Sequence, residues 1–166
     1  NVVTTVAMSN GAYADFSPKP LKLKSGSGMH INISVASADG RDVQDAFMAG
    51  IMEHIGEITL FLNPHADSYR RLGEKKAPSY ISWSHGNRSQ LIRIPAAPPE
   101  GWRFELRSPD SNANPYLAFA VLIYAGTSDV LGSDDLETVK LNYIRLVEEI
   151  MSNCPSARIY TIGLHP

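Results

Sequence analysis

Two five-residue stretches of this chain, His30-Ile31-Asn32-Ile33-Ser34 and Arg103-Phe104-Glu105-Leu106-Arg107, alternate polar and apolar residues. That period of two is the signature of an extended strand, in which successive side chains point to opposite faces of a sheet. The pattern predicts His30, Asn32 and Ser34 on one surface together with Arg103, Glu105 and Arg107, with Ile31, Ile33, Phe104 and Leu106 packed behind. A sheet face offering an imidazole, a carboxylate and two guanidiniums suits a metal ion accompanied by phosphate or carboxylate groups. The same alternation also describes the watered side of an ordinary antiparallel sheet. On alternation alone both readings stay open.

Helical spacing appears in two further places. From Asp42 onward Val43, Phe47, Met48, Ile51, Ile55, Ile58 and Leu62 recur on one helical face, with Asp42 as the expected N-cap and Asn63-Pro64 as the stop. Asn114-Pro115 supplies a cap and a first-turn proline. Residues 116–125 behind it are apolar on every side, which predicts a buried helix. Residues 2–7 read as a strand or the end of a helix, and 38–40 as a turn. Residues 79–84 and 90–94 read as strands, and 63–78 and 96–101 as loops. Beyond residue 126, residues 138–151 read as an amphipathic helix and 158–163 as a short strand. Strands in runs with packed helices imply an α+β fold with a largely antiparallel sheet.

Charge and cysteine content narrow the function. At 166 residues, 43% hydrophobic and 19% charged, the chain can bury a sizeable core. A formal net charge of -2 argues against a general nucleic-acid binder. Six of the nine arginines nevertheless fall between residues 70 and 107. Arginine is the side chain suited to bidentate capture of phosphate and carboxylate. The longest apolar run, 116–125, is too short to span a bilayer, and no leader pattern is seen, so no membrane partner is expected. A single cysteine, Cys154, excludes an internal disulfide framework and favours a reducing, cytoplasmic compartment. The start at Asn1 rather than Met reads as a piece of a longer protein.

Three blocks, taken in order, resemble the catalytic domain of the glutamine synthetases, type I branch. The first is Pro18-Lys19-Pro20 with Gly26-Ser27-Gly28-Met29-His30. The second is Asn63, Ser68-Tyr69-Arg70-Arg71-Leu72, Asn87-Arg88-Ser89 and Ile92-Arg93-Ile94-Pro95. The third runs from Arg103-Phe104-Glu105-Leu106-Arg107-Ser108-Pro109-Asp110 to Ala113-Asn114-Pro115-Tyr116-Leu117-Ala118-Phe119. The resemblance covers roughly residues 1–126 and leaves 127–166 as a segment of uncertain origin. That tail is faintly similar to a strand-helix-strand piece of the SGNH hydrolases, with Ser128 where those have Asn and no nucleophile motif.

The resemblance implies ATP-dependent ligation of glutamate and ammonia, or another amine, through a γ-glutamyl phosphate, with Mg²⁺ or Mn²⁺, in a homo-oligomer of stacked rings. It implies His30 and Glu105 as metal ligands, Gly26 and Arg71 as substrate-binding residues, and Arg88 and Arg107 as catalytic residues facing the transferred phosphoryl group and the γ-carboxylate. Asn32, Ser34, Arg93 and Arg103 fall at nucleotide-binding positions. Three positions depart from the family. Asn32 stands where bacterial members have His, and Ser25 where the family usually has Asn. Lys76 stands where a flap Glu closes the site and takes a proton from ammonium, in a loop one residue shorter. The Lys76 substitution keeps two alternatives open, a γ-glutamyl-amine ligase and a catalytically silent assembly or regulatory relative. The piece taken alone is expected to be inactive, because two metal ligands do not hold two divalent ions.

Overall fold

The first alternating stretch forms β1 (Ile31–Ile33), and the second forms the last strand of the same sheet. A computed structural model describes residues 2–37, 40–98 and 101–131. Its elements run α1 (Val2–Ser9), β1, α2 (Gln44–Leu62), a 3-10 turn (Ala66–Arg70), β2 (Tyr80–Ser84), β3 (Gln90–Arg93), β4 (Phe104–Leu106) and α3 (Pro115–Leu131). The amphipathic helix expected at 138–151, the strand expected at 158–163 and Cys154 lie outside the described residues, as do residues 38 and 39 of the expected turn.

The sheet order is β1-β4-β3-β2. β1 and β4 pair antiparallel with Asn32 opposite Glu105, and β3 and β4 pair antiparallel with Arg93 opposite Glu105. β2 and β3 are parallel, with Tyr80 beside Gln90 and Ser84 beside Arg93. Residues 85–89 must therefore return the chain along the whole length of β2. Asn87 organises that return: its N–H donates to Ser84 Oγ at 2.9 Å, and its Oδ1 accepts from the Ser89 N–H at 3.0 Å. The fold is thus α+β, with antiparallel pairings on both sides of β4.

One face of the sheet is the floor of the core. Ile31, Ile92, Phe104 and Leu106 are buried there, as the alternation requires, while Ile33 is partly buried against the same cluster. Helix α2 lays Phe47, Met48, Ile51, Ile55, Ile58 and Leu62 on that cluster. Each such side chain contributes about 1.5–3 kcal/mol on full burial. The Phe47 and Phe104 rings lie 6.5 Å apart, and Trp102 meets Phe104 edge-on at 6.1 Å. α3 comes close enough to α2 that a Cβ on Gly50 would stand 2.5 Å from the Ala125 carbonyl oxygen.

Two sequence expectations need correction here. α2 begins at Gln44, with Val43 at the cap position and no side-chain cap bond; Asp42 lies one residue further out and accepts the Gln44 N–H at 3.2 Å. Val43 is 7% exposed, so its burial takes precedence over a capped start at Asp42. α3 is not buried all round. Ala118, Val121, Leu122 and Ala125 face α2 and the core, whereas Tyr116, Phe119 and Ile123 are exposed, because α2 covers only one side. The cap of α3 is as expected, with Asn114 Oδ1 accepting the Tyr116 N–H at 3.0 Å. Residues 2–7 are helical, within α1, which buries none of its side chains. Among the described residues no helix is long and apolar enough to cross a membrane.

Candidate functional site

Four segments converge on the polar face of the sheet. The Gly-Ser run is pinned at both ends: the Ser27 N–H donates to the Pro18 carbonyl at 2.9 Å, and the Met29 N–H to the Pro109 carbonyl at 2.9 Å. This delivers His30 to the edge of β1. The 3-10 turn leads into Arg71, which is 2% exposed and donates from Nη1 to the Ser108 carbonyl at 2.9 Å and from Nη2 to the Arg107 carbonyl at 2.7 Å. The following loop is closed by the Gly73 N–H on the Pro78 carbonyl at 2.8 Å, and places Lys75 and Lys76 over the sheet. The 85–89 connector carries Arg88.

Glu105 is the hub. Its Oε2 accepts from Arg93 Nε at 2.5 Å and from Arg107 Nη1 at 2.9 Å, while Oε1 lies 2.9 Å from His30 Nδ1. Glu105 is 6% exposed and Arg107 3% exposed. Burial alone would raise the Glu105 carboxyl, but the hydrogen bonds from Arg93 and Arg107, with the charges of Arg107 and His30, outweigh it and hold the group below its ordinary value. Burial holds the His30 imidazolium disfavoured, helped by the positive charge of Arg107 and opposed by Glu105, so its pKa is lowered.

Both shifts make stability fall with acid. A folded-state pKa below the unfolded value means the unfolded chain binds more protons as pH drops. The His30 contribution is lost as pH falls below its ordinary 6.5, and that of Glu105 as pH falls below 4.5 and through its lowered folded value. The melting midpoint should therefore drop between about pH 7 and pH 3. A His30→Asn variant should lose the upper part of that decline; a midpoint that stays flat on acidification would contradict both shifts.

Above this hub lies a cleft of about 300 Å³. Arg71, Lys75, Lys76, Arg88, Arg93 and Arg107 line it against a single carboxylate, Glu105. Six cations to one anion suit a multiply charged anion. His30 Nδ1 and Glu105 Oε1 also fit a divalent ion. Their 2.9 Å separation is that of a hydrogen bond, whose proton a divalent ion held by both groups would displace. A neutral imidazole is the ligating form. Among the described residues no third His, Cys, Asp or Glu joins them. Mg²⁺ is commonly held this sparsely, by one or two protein groups together with phosphates and water.

Of the residues singled out in the sequence, Gly26, His30, Arg71, Arg88, Arg93, Glu105 and Arg107 line the cleft. Asn32, Ser34 and Arg103 do not; they continue the same sheet face beside it. Arg103 donates from Nε to Asn32 Oδ1 at 3.1 Å, and Ser34 Oγ donates to the Trp102 carbonyl at 2.8 Å. Gly26 carries a constraint that no ligand is needed to explain. A Cβ there would stand 2.4 Å from the Pro18 carbonyl oxygen and 2.7 Å from Arg71 Cγ. Glu74, the acidic residue nearest the missing flap Glu in sequence, reaches Lys19 Nζ at 3.7 Å and does not line the cleft. Lys75 and Gly28 line it without having been singled out as site residues. A basic loop after Arg71 was the available signal for Lys75, and the Gly-Ser run for Gly28.

A sequence profile of the glutamine synthetase catalytic domain matches residues 1–138. The chain is 44% identical over 163 residues to a glutamine synthetase of Methanosarcina mazei, an alignment covering 89% of this chain and 36% of that protein. It is 41% identical over 143 residues to a glutamine synthetase of Thermotoga maritima, covering 78% of this chain and 33% of that protein. A glutamine synthetase of Plasmodium falciparum, solved by cryo-EM, superposes with a TM-score of 0.72 at 29% identity, over 80% of this chain and 29% of that one. The chain thus spans about a third of the length of the curated relatives it matches.

Proposed function

The chain belongs to the glutamine synthetase catalytic-domain family, and from that premise we propose that it forms part of an ATP-dependent ligase joining ammonia to the γ-carboxylate of glutamate. The observation that carries this reading is the cleft, where six cations gather over one carboxylate and its neighbouring imidazole. The chemistry needs such a charge balance. A γ-carboxylate oxygen attacks the terminal phosphorus of ATP, both partners being anionic, and ADP leaves. Ammonia then attacks the acyl carbon of γ-glutamyl phosphate, inorganic phosphate leaves, and the nitrogen loses a proton.

Each residue has a place in that sequence. Arg88, exposed at the cleft wall, meets the transferred phosphoryl oxygens and neutralises charge that grows as the phosphorus–oxygen bond to ADP breaks. Arg107, fixed by Glu105 and by the Lys76 carbonyl, presents its remaining positive edge to the γ-carboxylate. Arg71, with two donors spent on backbone carbonyls, retains others for a substrate carboxylate. Arg93 and Arg103, with Asn32 and Ser34, extend a polar track along the sheet face toward the nucleotide. His30 and Glu105 would hold Mg²⁺ or Mn²⁺, which supplies charge neutralisation between carboxylate and phosphate. The exposed Tyr116, Phe119 and Ile123 of α3, and Tyr80, Ile81 and Trp83 of β2, support a homo-oligomer, as in stacked rings. ATP as substrate and a lone cysteine support a cytoplasmic setting.

The test is release of phosphate from ATP by the complete protein, dependent on glutamate and on ammonium, with Mg²⁺ or Mn²⁺ present. Turnover without glutamate dependence, or none at all, would overturn the reading. Arg88→Ala should lower kcat/KM about 10- to 100-fold, the loss of one charge-assisted contact worth about 1.5–3 kcal/mol.

A further inference from the structure

Lys76 is the one non-glycine residue among those described with a left-handed backbone, φ 65°. A β-carbon is disfavoured there, and Gly or Asn would hold the same turn at lower cost. A lysine kept in such a position points to a use for its side chain. The backbone around it is locked, since Arg107 Nη2 donates to the Lys76 carbonyl at 3.0 Å and the Ala77 N–H donates to the Glu74 carbonyl at 3.0 Å. Lys76 is therefore held at the cleft wall by the very arginine that braces Glu105.

The charge around it is unbalanced. Among the described residues, the one carboxylate of the cleft, Glu105, is shared by Arg93, Arg107 and His30. The nearest acid in sequence, Glu74, pairs with Lys19. Lys75, Lys76 and Arg88 line the cleft with no acidic group in ion-pair reach among the described residues. Like charges gathered in one cleft cost free energy unless an anion enters with them.

We infer that Lys76 is an oxyanion-binding residue, meeting together with Arg88 a tetrahedral phosphate. The phosphate is either the terminal group of ATP or the inorganic phosphate released from it; naming these two sources rests on the ligase reading above. Lys76, Lys75 and Arg88 together give this side of the cleft a positive charge that an entering phosphate would balance.

The experiment measures affinity of the complete protein for inorganic phosphate and, separately, for a non-hydrolysable ATP analogue, by calorimetry at several salt concentrations. Lys76→Gly and Lys76→Asn both relax the left-handed backbone, so their melting temperatures should equal or exceed that of the unaltered protein. Each should nevertheless bind phosphate about tenfold more weakly, about 1.4 kcal/mol, with a shallower salt dependence. Lys76→Arg should keep most of the affinity. Loss confined to the analogue assigns Lys76 to the terminal phosphate of ATP, and loss confined to phosphate assigns it to the released product. Unchanged affinity for both ligands in the Gly and Asn variants would overturn the inference, as would absence of binding by the unaltered protein. If phosphate binds in a Lys76-dependent way but no glutamate-dependent turnover occurs, the ligase reading fails and the oxyanion site stands.

Discussion

Replacing Glu105 by Ala should destabilise the protein by about 3–5 kcal/mol, the usual cost of breaking a buried ion pair from one side. Three groups lose their partner at once. Arg107, 3% exposed, keeps a full charge with no other acid paired to it among the described residues, where its Nε already lacks a partner. Arg93 loses its bond to Oε2, and His30 its neighbour at 2.9 Å. Glu105→Gln should cost less, because an amide oxygen still accepts from Arg107, so the order of stability is unaltered protein, Gln, Ala. Chemical denaturation with an unchanged m-value gives the difference directly. A loss under about 1 kcal/mol for Ala would mean that the hub carries no net stabilisation, as some exposed ion pairs do. The proposed ligase turnover should vanish in both variants, since Gln removes the charge proposed to hold the metal.

Arg71→Ala should be nearly as damaging, at about 3–5 kcal/mol. The side chain is the largest of the fully buried ones, and its two guanidinium nitrogens satisfy the carbonyls of Arg107 and Ser108. Each orphaned carbonyl costs about 1–3 kcal/mol. Desolvation lowers the Arg71 pKa, Asp110 opposes that shift, and Arg107 adds to it. Without Arg71 the wholly buried Asp110 loses its countercharge, while its Oδ2 already lacks a partner among the described residues. The Gly-Ser run would loosen too, because Gly26 and Gly28 lie against the Arg71 stem and guanidinium. Arg71→Lys should recover only part of the loss, since an ammonium does not reproduce the planar fork. Equal stability of the Lys and Ala variants would show that the charge near Asp110 is immaterial.

The strands β1 and β4 and the faces of their side chains are local properties of the chain. Alternation over His30–Ser34 and Arg103–Arg107 follows from the period-two geometry of any extended chain, and so Ile31, Phe104 and Leu106 were legible as core. The apolar spacing of α2 and the Asn114-Pro115 start of α3 are likewise local. Family motifs carried the reading further, to the arginines and to His30 and Glu105.

Which of those residues meet depends on pairing between segments far apart in the chain. Register puts Asn32 and Arg93 on either side of Glu105, and a slip by one residue would turn every one of these side chains to the other face. It also leaves Arg103, Asn32 and Ser34 outside the cleft and brings Lys75 and Lys76 into it, across separations that no local pattern encodes. The exposed side of α3 escaped the sequence for a related reason. An apolar surface states that burial is favourable, but only the neighbouring element decides whether it happens, and here α2 covers one side alone.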